Sequence, residues 1–260
     1  MIDQDLPALS VIRHQSILRE LEATGRVRVR SLAPAFGVSE ETIRRDLSEL
    51  EARGQLRRVH GGAVRHEIDR EQPILERSRV KAREKIHIGQ IAAGLVQDGM
   101  SVFMDTGSTP VAVAQAMAKH SFANVTVTTN SLDIGKILAH AEGLRVRMTP
   151  GMLRENDNAI VGHETCDYVR RFAFDLSIVG IAACDLEFGW MDYGQDESDL
   201  RRIVAGNAQP VVIVTDDSKF GRRASITTYA LDHALTVVTN KPPPPEFGER
   251  FAASGVKVMV

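Results

Sequence analysis

The chain has little with which to cross-link itself: Cys166 and Cys184 are the only cysteines in 260 residues. Two are too few for a disulfide framework and do not stand at zinc-ligand spacing, so plain buried thiols in a reducing compartment are expected. Aromatics are scarce, with one tryptophan and three tyrosines, and they form no stacking platform among the arginines, which disfavours RNA as a partner. No apolar run approaches the roughly 20 residues that span a bilayer. The opening "MIDQDLPALS" is acidic and lacks the basic-then-apolar plan of a signal peptide, so a soluble cytoplasmic protein with no membrane partner is expected. A formal net charge of -2 excludes nothing, because averaging hides local patches.

Lysine is also missing where it would be expected. Before Lys81 the long basic side chains are all arginine, and from Thr24 to Arg65 nine arginines face five acids. This local excess of positive charge sits inside a weakly acidic protein. Ile12, Ile17, Leu18 and Leu21 give a first helical face ending near Gly25, and Leu32 and Phe36 a second over Arg30 to Phe36. Gly37 is placed to end that helix in a left-handed cap. Ser39 then serves as N-cap, Glu40 and Glu41 suit the first turn, and Ile43, Leu47 and Leu50 form a buried stripe closed by Arg53 and Gly54. At about 100° per residue Arg45 lies opposite that stripe, flanked by Arg44, Ser48 and Thr42. "LRRVHGGAV" reads as two strands around a Gly61-Gly62 turn.

Helix, turn, helix and basic hairpin make the layout of a winged helix-turn-helix, whose third helix enters the major groove while the wing rides the backbone. A solvated charged helix is the plainer alternative, with Arg45 paired to Glu41 or Glu49 at helical spacing. Agreement of turn, cap, stripe and hairpin favours double-stranded DNA. The segment "LAPAFGVSEETIRRDLSELEARGQLRRVHGGAV" resembles the amino-terminal signature of the DeoR family of bacterial transcription regulators. The resemblance implies that Ser39, Thr42, Arg44 and Arg45 face DNA and that Arg57, Arg58 and His60 lie in the wing; Ser48 joins them from its place on the helix.

Residues 67–82, highly charged and interrupted by Pro73, read as a connector between a DNA-binding domain at 1–66 and an α/β domain at 83–260. In the latter, "SVFM", "VTVTT", "LRVRM", "FDLSIVGIAA", "PVVIVTD", "ALTVVTN" and "VKVMV" alternate with helical stretches, as in a doubly wound parallel sheet. After the first strand, Gly107 permits a tight turn, Ser108 or Thr109 can cap, and Pro110 suits the first helical position. Such a helix start can hold an anion. Asn130 and Ser131 repeat the plan, and "TDDSKFGR" brings Lys219 to the same edge, where ligands of open α/β sheets bind. "PPPP" at Pro242 to Pro245 reads as a rigid loop before the last helix.

"DTGST", "TNS", "PGMLR" and "DDSKFG" are similar, in order, to the sugar-phosphate-sensing domain of the DeoR family, itself similar in fold to ribose-5-phosphate isomerase and glucosamine-6-phosphate deaminase. The resemblance implies a pocket lined by Asp105, Thr106, Gly107, Ser108 and Thr109 and completed by Asn130, Ser131, Gly151, Arg154 and Lys219. Met152 stands where the family usually has a second glycine, which would reshape a pocket wall. "DLEFGWMDY" is similar to repressors of glycerol-3-phosphate metabolism within that family.

The implied protein is a repressor of a carbohydrate or polyol operon that leaves its operator when a phosphorylated sugar or glycerol-3-phosphate binds. It would use no cofactor or metal and act as a homodimer or homotetramer. The rival is a sugar-phosphate isomerase or deaminase with a DNA-binding arm. That rival would draw on Asp105, Asp175, Asp185, Asp192, His163 or His233, none of which stands at a spacing that demands catalysis. His163 is instead expected to cap a helix and Asp175 to fix a strand start.

Overall fold

The computed structural model describes residues 6–24, 26–52, 55–65, 73–208, 210–233 and 236–260. Gly25, Arg53, Gly54, His66 and the first part of the connector, 67–72, lie outside the described residues. The chain divides into two compact units, Met1–Ile68 and Asp69–Val260.

The first unit runs α1 (Leu6–Thr24), β1 (Arg26–Arg28), α2 (Val29–Ala35), α3 (Glu40–Ala52), β2 (Leu56–Val59) and β3 (Gly62–Arg65). Its core is Ile17, Leu21, Leu32, Ile43, Leu47, Leu50 and Leu56. Ile12, expected on the buried face, is exposed. The inner face of α1 instead continues through His14, which is buried with Asp46 of α3. Asp46 accepts from Arg13 Nε at 2.5 Å and Nη2 at 2.9 Å and lies 3.0 Å from His14 Nε2. Burial alone would raise this carboxyl; the bonds from Arg13 and His14 outweigh it and hold the group below its ordinary value. Helix α3 is thus fixed to α1 by apolar packing and by a buried charge cluster.

Helix α2 begins one residue earlier than expected and ends at Ala35, and Gly37 takes the left-handed conformation, with φ +63°. Ser39 Oγ accepts from Thr42 N at 3.1 Å, the expected cap. Ser39→Ala should cost the amino-terminal unit about 1 kcal/mol, measured as a loss of unfolding free energy by circular dichroism. The hairpin differs by one residue from expectation. Val59 pairs with Gly62, so the turn is His60-Gly61, with Gly61 at φ +79°. Gly62 is needed because β1, a strand too short to predict, packs across it: a Cβ there would lie 2.0 Å from Val27 O. The wing is a three-stranded sheet, β1-β3-β2.

The second unit starts with α4 (Ile74–Arg79) and α5 (Ala82–Ala93), followed by β4 (Ser101–Met104), α6 (Ser108–Met117), β5 (Val125–Thr129), α7 (Leu132–Leu138) and β6 (Leu144–Met148). A hairpin of β7 (Met152–Arg154) and β8 (Ala159–Val161) leads to α8 (His163–Val169) and β9 (Leu176–Gly180). Then come β10 (Ala183–Asp185), β11 (Gly189–Asp192), α9 (Gln195–Asn207), β12 (Val211–Val214), β13 (Ile226–Tyr229), β14 (Thr236–Val238), α10 (Pro245–Ala253) and β15 (Lys257–Met259). The later part of the expected connector is therefore helical. Ile74 is buried and its N–H donates to Asn156 O at 3.0 Å, which ties α4 to the β7–β8 turn.

The seven strands read from the sequence form one parallel sheet in the order β15-β14-β12-β9-β4-β5-β6. Side chains alternate across it. Val102, Met104, Ile178 and Val214 face one core with Ile88 and Val113, while Phe103, Val179 and Ile213 face another with Leu200, Phe247 and Phe251. "FDLSIVGIAA" is not one strand: after Gly180 the chain leaves the main sheet, and β10 joins an antiparallel sheet with β11 and β13. Trp190 of β11 is fully buried and stacks on Phe251 at 5.6 Å between centroids. The proline run does precede the last helix, but Pro245, read as part of the loop, is already the first residue of α10.

Candidate nucleic-acid interface and sensor edge

In the amino-terminal unit the stripe of α3 is buried and Arg44 and Arg45 are exposed. Their environments differ. Arg44 donates to Glu40 at 2.7 Å and Glu41 at 3.3 Å, so the acidic partners that the plainer alternative gave to Arg45 are not on Arg45. Arg45 makes no ion pair or hydrogen bond among the described residues. Thr42 Oγ1 stands 2.9 Å from Ser39 Oγ. Ser48 donates to Arg44 O and accepts from Arg58 Nη1 at 2.5 Å, and Arg58 N donates to Glu51 at 2.8 Å. Helix and wing are thereby fastened side by side. Arg57 and His60 are exposed on that wing, and Arg26 and Arg28 of β1 add exposed guanidinium groups that sequence reading did not assign. Guanidinium groups on two adjacent elements of one rigid surface can fork onto phosphate oxygens or guanine edges.

In the second unit the strand order reverses between β4 and β9, the switch point at which open α/β sheets bind ligands beyond the carboxyl ends of their strands. Asp105 and Thr106 stand there: Asp105 N donates to Ile178 O of β9 at 3.0 Å. Gly107, at φ +136°, makes the turn and is itself the N-cap, so Ser108 is the first helical residue and Pro110 the third. The cap expected from Ser108 or Thr109 is absent because glycine turns the chain one step sooner. Thr106 N donates to Asn130 Oδ1 at 3.1 Å, and Thr106 Oγ1 donates to Asp157 O at 3.3 Å. Ser131 caps α7 through Ile134 N.

Two arginine clusters lie behind this loop. Arg201 Nε donates to Asp105 at 2.6 Å, and the same guanidinium pairs with Asp192, all three buried. Burial lifts Asp105 to about 6 against the pull of Arg201. For Arg201, burial opposes the charge, but Asp105, Asp192 and Glu197 hold its proton. Arg154 donates to Asp157 at 2.9 Å and also pairs with Glu197. Its guanidinium is therefore held between two carboxylates. Lys219 comes five residues after the end of β12, a strand two places from β4 in the sheet. The sensor residues thus sort into a connected set of Asp105, Thr106, Asn130 and Arg154, the helix start at Gly107, Ser108 and Thr109, and Lys219 further along.

Gly151 follows β6 and lies against Ile160, which exchanges hydrogen bonds with Asn130. At φ +136° a Cβ on it would meet Thr165 Oγ1 at 2.5 Å and Val161 O at 2.6 Å, a close approach within the β7–β8 region. Met152 is 76% exposed.

A family description of a DeoR-like helix-turn-helix domain matches residues 13–68, and one of a DeoR C terminal sensor domain matches residues 80–241. The chain belongs to the DeoR family. This DeoR-family regulator is similar to the glycerol-3-phosphate regulon repressor of Escherichia coli K12, 34% identical over 89% of this chain and 91% of that one. It is also similar to a putative aga operon transcriptional repressor of Escherichia coli O157:H7, 31% identical over 95% and 93%. Among solved structures, ribose 5-phosphate isomerase A of Methanocaldococcus jannaschii aligns with 54% of this chain and 55% of its own, at 16% identity and a TM-score of 0.39.

The carboxylates named for a catalytic rival are occupied in this DeoR-family protein. Asp105 and Asp192 share Arg201, Asp185 pairs with Arg223 at 2.8 Å, and Asp175 accepts from Ser101 N at 2.8 Å, which fixes a strand start as expected. His163 is the first residue of α8 after a Gly162 N-cap, and His233 stacks on Tyr229. Cys184 is buried and Cys166 half-buried, both free thiols raised above their ordinary value by burial. Sequence reading missed Arg201 and Asp46, though each left a signal: Arg201 follows Glu197 by four residues and precedes Val204 by three, and Asp46 sits between Ile43 and Leu50, so both charges fall on buried helical stripes.

Proposed function

We propose that this chain is a transcriptional repressor that binds an operator through residues 1–66 and leaves it when a phosphorylated polyol or sugar occupies the 83–260 domain, with residues 67–82 joining the two. One observation carries the DNA half: Arg45, exposed and unpaired among the described residues, stands on the outer face of α3 beside a wing bearing Arg57, Arg58 and His60. Ser39, Thr42, Arg44 and Ser48 flank it, with Arg44 exchanging Glu40 and Glu41 for phosphate on binding. The sensor half takes support from the switch-point loop Asp105 to Thr109, with its helix start, and from Lys219 on the same edge. Glycerol-3-phosphate is the first candidate effector, by similarity to a repressor whose name carries it. Occupied carboxylates at the edge favour binding over turnover. Two-fold DNA half-sites suit a homodimer or a tetramer of dimers.

A thermal-shift panel of sugar phosphates and glycerol-3-phosphate tests the sensor half, since a ligand that binds only the folded state raises its stability. Lys219→Ala should keep operator affinity within twofold while abolishing the shift. A normal shift in that variant would remove Lys219 from the site.

A further inference from the structure

The loop that carries Lys219 has a second attachment, to the chain that leads out of the sensor. Lys81, between α4 and α5, donates from Nζ to Asp217 Oδ1 at 2.6 Å across 136 residues of sequence. Its backbone is left-handed, φ 55°, a conformation that a lysine holds only when its surroundings impose it. Asp217 is held from the other side by Asn240, which accepts from Asp217 N at 2.8 Å and donates to its carboxylate at 3.0 Å. Burial opposes the Asp217 charge less than Lys81, Asn240 and Lys241 favour it, so the carboxyl titrates below its ordinary value.

The same corner contains a buried lysine. Lys85 Nζ donates to Arg77 O at 2.6 Å and Val80 O at 2.8 Å, closing the carboxyl end of α4. Asp216 and Lys219 both act on its charge, which places it near the effector loop, and burial brings Lys85 down to about 8. The α4–α5 corner is therefore built from one lysine fastened to the loop and another fastened to the helix.

We propose that the Lys81–Asp217 pair is the coupling element of this regulator: an anion drawn onto Lys219 shifts the Asp216–Lys219 loop, and Asp217 carries that shift through Lys81 into the α4–α5 corner and the connector. The inference rests on Lys219 belonging to the effector site. A ligand shifts an equilibrium only by its differential interaction with two states, and here the pair makes the state of the loop and the state of the corner one variable. Lys81 and Asp217 are positioning residues; neither is assigned a contact with ligand or DNA.

The experiment uses full-length protein, DNA selected by the wild type from a randomised pool, and three probes: glycerol-3-phosphate, ribose-5-phosphate and inorganic phosphate. For wild type, Lys81→Gln and Asp217→Asn, three quantities are read: operator affinity alone, probe affinity by calorimetry, and the fold loss of operator affinity at saturating probe. Wild type should show a loss of about 5–150-fold. Both variants should bind DNA and probe within twofold of wild type but release DNA by less than about twofold, and the charge swap Lys81→Asp with Asp217→Lys should restore release. Variants that release as wild type does, or that lose probe binding itself, overturn the coupling role. A wild type that ignores all three probes overturns the sensor reading beneath it.

Discussion

Replacing Arg201 with alanine should destabilise the sensor unit by about 3–5 kcal/mol at neutral pH, the usual consequence of removing one partner from a buried ion cluster. Asp105 and Asp192 would remain buried with no cation between them, and Glu197 adds to the repulsion. The pH dependence gives the effect a signature. In the intact protein Asp105 titrates at about 6 against 3.8 for the free group. The native state therefore binds more protons than the unfolded chain between those values, and this group's contribution falls as pH rises through that window and stays level above it. Without Arg201 the Asp105 carboxyl rises further, so the loss deepens with pH and continues to higher pH. Urea unfolding of wild type and Arg201→Ala at pH 5 and pH 8 reads this directly. A deficit under about 1 kcal/mol, equal at both pH values, would mean that the carboxylates find water or other partners.

Arg45→Ala should weaken the operator complex by about 1–3 kcal/mol and relax preference at one base pair. The size of the expected loss follows from what each arginine already does. Arg44 must release Glu40 and Glu41, exposed pairs worth about 0.2–1 kcal/mol apiece. Arg58 is bound to Ser48 and Glu51 and presents its charge from a fixed place, suited to a phosphate. Arg45 has no such commitment among the described residues and can fork onto a guanine edge at little internal cost. Competition among single-base variants of a selected operator measures it. If Arg45→Ala keeps the wild-type ranking of every variant, base reading lies elsewhere on the helix or wing.

Much of this architecture is local information and could be read from the chain. The direction of Arg45 follows from helical geometry and three apolar residues, and the seven parallel strands follow from their β-branched runs. What escaped reading depended on distance in sequence. Strand order, and with it the switch point between β4 and β9, is set by which crossovers turn which way. The pairing of Arg201 with Asp105 spans 96 residues. Strand β1 is three residues of alternating arginine and valine that become a strand only because β3 lies beside them. The hairpin turn was misplaced by one residue because both glycines suit a turn, and only the approach of Val27 tells Gly61 from Gly62.

Trp190 has a practical consequence. It is the one tryptophan of the chain, and the three tyrosines, Tyr168, Tyr193 and Tyr229, also lie after Lys81. All intrinsic ultraviolet emission beyond that of phenylalanine therefore comes from the sensor half, its tryptophan part from an indole that belongs to the strand ending at Asp192 and packs on Phe251. The arm that would meet the operator is optically silent. A change in tryptophan emission on adding DNA would thus register, without any label, an event transmitted from one half of the molecule to the other.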